Sequence, residues 1–239
     1  MPTPIKVLVT GAGGFIGHHL VTFLRKQGYW ARGVDLKGPG FAPTDADEFE
    51  LLDLRRWDNC LRATRGVEEV YALAADMGGM GFISANHAQI LRNNSLISIH
   101  TLDAARENGI RRYLYTSSAC IYPEYKQLDT NVIPLKEEDA YPAQPQDAYG
   151  WEKLVTERLC THYREEFGTK ALRVLFLFSS EYGFNAQARI ARCMALCTRL
   201  EVTFIRFAPL QVFLAAAPDQ RIFAPIWHQP KCGERTTLF

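Results

Sequence analysis

Ile5–Thr10, IKVLVT, is a short apolar run rich in β-branched residues, and it passes without a break into GAGGFIG (11–17). The first segment reads as a buried strand, and the second as a tight glycine turn that opens a helix. A strand that feeds a helix in this way begins a crossover unit, which commits the next strand to run parallel to the first. Phe15, His19, Val21 and Leu24 keep helical spacing up to Gly28, and Tyr29–Asp35 reads as the second strand.

The alternation continues along the chain. Val67–Ala75 and Arg111–Ala119 read as strands, and Asn86–Asn108 as a helix ending at Asn-Gly. Asp147–Phe167 reads as a long helix stopped by Gly168, and Leu172–Phe178 as one more strand. This pattern predicts an α/β fold, a Rossmann-like doubly wound parallel sheet with helices on both faces. Residues 1–175 are expected to form that unit. Residues 176–239 are expected to form an incomplete, divergent substrate domain.

The 27 basic and 26 acidic residues leave a formal net charge of +1, so the balance points to neither nucleic acid nor an anionic membrane surface. The longest apolar runs, such as Val174–Phe178, are too short to span a bilayer. No secretory signal opens the sequence, and a soluble cytoplasmic protein is expected. Cysteines 60, 120, 160, 193, 197 and 232 are then expected to be reduced. Cys193 with Cys197, and His228 with Cys232, repeat a spacing of four that zinc can use, but the tight spacing of a zinc knuckle is missing. No metal is expected.

In the glycine turn the pattern that fits is Gly11-x-x-Gly14-x-x-Gly17, because Ile16 stands where the commonest dinucleotide pattern has its third glycine. Backbone N–H groups at such a helix start can hold a pyrophosphate. Asp35, at the end of the second strand, is placed to accept hydrogen bonds from a ribose and to repel a 2′-phosphate, which favours NAD over NADP. Asp53 has two readings, an acceptor for the adenine amino group or a helix N-cap.

Tyr149 and Lys153 are four apart in a predicted helix and so share a face. An ammonium beside a phenol stabilises the phenolate, which suits a tyrosine that takes a proton from a substrate hydroxyl. Ser117 and Ser118 end a strand where parallel sheets open their ligand crevice, either to share that proton or to cap the turn. Cys120 lies two residues further on, as a small packing residue or, with a depressed thiol pKa, as an acid or base. In LAADMGGMGFI (73–83), Gly78, Gly79 and Gly81 give up side chains, as if something must approach the backbone, while Met77 and Met80 are expected to pack.

TGAGGFIG, YALAAD, SSACIY and YGWEK resemble the extended short-chain dehydrogenase/reductase family, the nucleotide-sugar epimerases and dehydratases. Within it, LAADMGGMGFI, SSACIYPEYKQL and PAQPQDAYGWEKL are similar to the GDP-mannose 3,5-epimerases over about residues 4–174. The resemblance implies an NAD-dependent isomerase that converts GDP-mannose to GDP-L-galactose through a transient 4-keto sugar, a step toward ascorbate, and a possible homodimer. It implies Gly11, Gly14, Phe15, Ile16, Gly17, Asp35, Asp53 and Ala74 around the cofactor. Tyr149, Lys153 and Ser118 would serve the redox step, with Tyr149 and Lys153 also touching NAD. Cys120 would be one acid/base, and Gly78, Ser118, Ala119 and Cys120 would line the sugar.

Beyond Arg173 the sequence departs from that family. Ala191 stands where relatives have the second acid/base, a lysine, and the adjacent Arg192 stays charged and exchanges protons poorly. The asparagine of the family's RFHN stretch is missing, and no family pattern follows Arg199. Much of the substrate domain is expected to be absent or not properly formed. Three functions stay open from the sequence: an active epimerase, another sugar-nucleotide dehydratase or reductase, and an inactive NAD-binding remnant.

Overall fold

A computed structural model describes residues 3–40, 42–78, 80–126 and 137–168, with the backbone of four later strands. In chain order the elements are β1 (Lys6–Thr10), α1 (Phe15–Lys26), β2 (Trp30–Asp35), β3 (Glu48–Leu51), α2 (Trp57–Thr64), β4 (Glu69–Ala72) and α3 (Met80–Ala85). Then follow α4 (His87–Glu107), β5 (Arg112–Ser118), α5 (Ala148–Phe167), β6 (Ala171–Phe176), β7 (Phe204–Ala208), β8 (Gln211–Ala216) and β9 (Gln220–Ile222).

They form one sheet in the order β3-β2-β1-β4-β5-β6-β7-β8-β9. Pairing is parallel from β3 through β7 and antiparallel at β7–β8 and β8–β9. Chain order reverses between β1 and β4, and in open α/β sheets such a switch leaves a crevice beyond the carboxyl ends of the strands. Thr10 pairs with both Val34 and Ala72, so the ends of β2, β1 and β4 lie level there.

The continuous apolar run in β1 is explained by burial on both faces. Val7 and Val9 pack with Leu20, Val21 and Leu24 of α1, while Leu8 packs with Leu102 of α4 and Cys160 of α5, and all eight of these residues are at most 1% exposed. Each large aliphatic side chain so buried stabilises the fold by about 1.5–3 kcal/mol before conformational entropy is counted. Asp147 caps α5 by accepting from Gly150 N at 2.7 Å, and Gly168 ends the helix in the left-handed region at φ 67°, as its position after Phe167 predicts.

Two strands end earlier than the sequence predicts. β4 stops at Ala72 because the buried Thr10 Oγ1 accepts from the amides of Leu73 at 3.1 Å and Ala74 at 3.0 Å, which takes both out of the ladder. β5 stops at Ser118, whose Oγ accepts from Cys120 N at 3.3 Å and starts a short 3₁₀ turn, Ala119–Ile121. The glycine-rich stretch after β4 also contains a helix, α3, that its composition conceals. The antiparallel strands β8 and β9 have no counterpart in the alternating pattern read from the sequence. No helix among the described residues is long and apolar enough to cross a membrane. Ala191, Arg192, Cys193, Cys197, His228 and Cys232 lie outside the described residues.

Candidate active site

The switch point is built from the turn after β1. Gly14 is the N-cap of α1 and contributes no side-chain acceptor, so the first turn of the helix is left to what lies beyond it. Phe15, Ile16 and Gly17 form that first turn. Gly17 packs so closely that a Cβ there would come 2.2 Å from Gly11 O. Gly11 sits against the exit of β4, where its Cβ would lie 3.0 Å from Ala74 N. The turn and Ala74 are therefore in contact.

Asp35 ends β2 beside this turn. Its Oδ2 accepts from Gly13 N at 3.0 Å and its Oδ1 from Lys37 N at 3.2 Å. Each carboxylate oxygen retains a further acceptor site, enough for a vicinal diol. A Cβ on Gly13 would lie only 2.1 Å from Lys37 O. Spacing alone passes over Gly13 in favour of Gly14, although its position between β1 and the end of β2 leaves no room for a side chain.

Asp53 belongs to a different arrangement from the helix cap considered above, because the N-cap of α2 is Arg56. Its carboxylate takes a bidentate bond from Arg55, Nε–Oδ1 at 2.9 Å and Nη2–Oδ2 at 2.7 Å, and that hydrogen-bonded guanidinium holds the carboxyl below the usual range. Asp76 is fixed in turn by two buried asparagines of α4. Its N–H donates to Asn94 Oδ1 at 2.6 Å, and its Oδ2 accepts from Asn93 Nδ2 at 2.7 Å. This anchors the start of the glycine stretch, which the sequence did not reveal.

Within that stretch Gly78 has a close neighbour from the chain itself. The space its Cβ would take is occupied by Phe82, whose Cβ would lie 2.7 Å away, while nothing lies within 4 Å of a Cβ on Gly81. Gly79 lies outside the described residues, as does the side chain of Met80. Met77, expected to pack, is 43% exposed.

A line of polar contacts crosses the sheet from the glycine turn to α5. Thr10 holds the amides that follow β4, Thr116 Oγ1 donates to Ala72 O at 3.0 Å, and Lys153 Nζ donates to Thr116 O at 2.9 Å. Lys153 is 3% exposed, and its ammonium lies 5.4 Å from the centroid of the Tyr149 ring. Gly150 presses on the turn that holds Cys120, since a Cβ there would meet Cys120 O at 2.1 Å. Ser118, Ala119, Cys120, Tyr149 and Lys153 are thus brought to one end of the sheet.

The protonation states differ from those the sequence suggests. Burial raises the Tyr149 phenol above its ordinary pKa, and Lys153, which does pull it down, is outweighed. Burial also raises the Cys120 thiol, against the lowering effect of the Ser118 hydrogen bond. Both groups rest as neutral proton carriers. Alkylation of Cys120 is accordingly expected to be slow at neutral pH and to keep accelerating above the pH at which an exposed cysteine levels off. A rate that plateaus at or below the exposed cysteine's pH, followed by peptide mass spectrometry, contradicts this.

The sequence pattern of the NAD dependent epimerase/dehydratase family matches residues 7–196. The chain is 54% identical over 166 residues to a GDP-mannose 3,5-epimerase of Arabidopsis thaliana, covering 69% of this chain and 44% of that protein. A crystal structure of UDP-galactose 4-epimerase superposes with a TM-score of 0.62 at 30% identity, over 72% of this chain and 55% of the other. UDP-glucose 4-epimerase from Brucella ovis in complex with NAD gives a TM-score of 0.62 at 25% identity, over 72% and 51%. The chain spans less than half the length of the curated epimerase it matches.

Proposed function

Since the chain belongs to the NAD dependent epimerase/dehydratase family, we propose that it binds NAD at the β1–β4 switch point and, at the full length of its relatives, epimerises GDP-mannose at carbons 3 and 5 to GDP-L-galactose. The observation that carries this reading is the joining of two halves: a glycine turn with Asp35 at its side, and a half-buried Tyr149 over the buried Lys153, beside Cys120. The residues fit a dinucleotide. Gly14 leaves the start of α1 to a diphosphate, and Asp35 keeps acceptor sites for ribose hydroxyls. Asp53, held ionised by Arg55, is an acceptor for the adenine amino group.

When bound, NAD would supply the oxidation of the carbon 4 alcohol and its later reversal. Tyr149 takes the hydroxyl proton once its own has passed to solvent, and the Lys153 ammonium beside its ring offsets part of the cost of that phenolate. A ketone at carbon 4 acidifies the hydrogens on carbons 3 and 5. Cys120, neutral at rest, is ready as the proton donor on one face. Inversion needs a second group on the opposite face.

The test is solvent exchange. NAD-loaded protein in deuterium oxide is expected to place deuterium at carbons 3 and 5 of GDP-mannose, read by NMR, and Cys120→Ser is expected to stop exchange and spare NAD binding. Loss of both together would show the thiol to be misassigned. A second reading, an NAD-binding chain without turnover, is favoured by Ala191 in place of the lysine, and predicts retained NAD with no exchange at either carbon.

A further inference from the structure

Glu152 lies on α5 between Tyr149 and Lys153 and is 1% exposed. The chemistry above does not use it, and a carboxylate at that depth is costly unless polar groups surround it. Its Oε1 accepts from three hydroxyls: Ser98 of α4 at 2.9 Å, Tyr115 of β5 at 3.1 Å and Thr156 of its own helix at 2.9 Å. Its Oε2 is buried with no hydrogen-bond partner. One oxygen therefore ties together two helices and the central strand that lead to the reactive end of the sheet.

Tyr115 carries the connection onward. Its hydroxyl is held by Glu152, and its ring receives the Lys153 ammonium 4.6 Å from the centroid, closer than the 5.4 Å to the Tyr149 ring. Only the bond to Thr116 O otherwise directs that ammonium among the described contacts. An aromatic ring without its hydroxyl tether can turn about its side-chain bonds, and a cation resting on its face moves with it.

We propose that Glu152 is a positioning residue for Lys153: by holding the Tyr115 hydroxyl it fixes the ring on which the ammonium rests, and with it the approach of that ammonium to Tyr149. The weight of this for catalysis rests on the redox reading above.

Residue-resolved acylation of the full chain with an N-hydroxysuccinimide acetate, without cofactor and read by mass spectrometry, tests it. Glu152→Ala and Tyr115→Phe are expected to raise Lys153 labelling about tenfold relative to the exposed Lys26 and Lys37, the scale of losing one or two hydrogen bonds from a local structure. Glu152→Gln keeps an acceptor oxygen and is expected to stay within about twofold of the parent. Tyr115→Phe keeps the ring and decides the matter if the alanine variant does not fold. Unchanged Lys153 labelling in the folded variants overturns the proposal. So does equal acceleration in Glu152→Gln, or a parallel rise at every lysine, which would report general loosening. No dinucleotide enters the measurement, so a failure to bind NAD would defeat the redox reading and leave this result interpretable.

Discussion

Gly13→Ala is expected to abolish dinucleotide binding, whereas Gly14→Ala weakens it only a few-fold. The two residues are neighbours in the same glycine turn, but their surroundings differ. A methyl at Gly13 would lie 2.1 Å from Lys37 O and 3.1 Å from Asp35 Cγ, so the backbone after β2 must move away. That movement breaks the bond from Gly13 N to Asp35 Oδ2 and displaces the carboxylate assigned to the ribose. At Gly14 the nearest atom is Gly11 O at 3.2 Å, a contact that a few tenths of an ångström relieve. Overpacking that backbone must absorb costs about 1–3 kcal/mol, and at the upper end that alone is roughly hundredfold in affinity. Calorimetric titration with NAD, beside thermal unfolding of each variant, separates lost binding from lost folding. Equal affinities in the two variants would mean that the turn tolerates displacement of Asp35.

Periodicity and composition made the first half of the fold legible because β1 is buried on both faces and glycines mark the ends of its turn and of α1. The same reasoning overran β4 and β5, since hydrophobicity continues past Ala72 and Ser118 while Thr10 and Ser118 divert the backbone through their hydroxyls. A strand's end is set there by a side chain, in the case of β4 one that is distant in sequence. The pairing of Tyr149 with Lys153 was legible as a spacing, whereas its electrostatics were not. Helical spacing reveals the cation beside the phenol but is silent on burial, and burial decides the direction of the shift. At Gly78 the sequence shows a missing side chain and conceals its neighbour, Phe82, four residues along the same chain, which lies against the position of the absent Cβ. Gly150 and Glu152 carried no signal at all, because their importance comes from contacts with β5, α4 and the turn after β5.

Gly150→Ala is expected to weaken dinucleotide binding only a few-fold, through the contacts of Tyr149 and Lys153, and to lose most of the chemistry, the complement of the effect at Gly13. A Cβ at Gly150 would stand 2.1 Å from Cys120 O, 2.9 Å from Cys120 C and 3.0 Å from Pro145 Cβ. Two of these are backbone atoms of the turn that carries the thiol, so no side chain can rotate away to relieve the clash. Either α5 lifts, taking Tyr149 and Lys153 with it, or the turn moves and takes Ser118 and Cys120. Tyr149 and Cys120 then separate, while the glycine turn after β1, on the far side of β4, keeps its own contacts. Displacements of about 1 Å at reacting groups can cost about a hundredfold in rate, and strain of this kind about 1–3 kcal/mol in stability. In the deuterium exchange assay the variant should fall by that factor, with NAD affinity within a few-fold of the parent and a lowered Tm. Alkylation of Cys120 gives the same information without turnover, because a thiol freed from its contact with α5 reacts faster than the half-buried one. Parent-like alkylation and exchange in Gly150→Ala would show that the helix and the turn are not mechanically coupled, and the placement of Cys120 against Tyr149 would lose its physical basis.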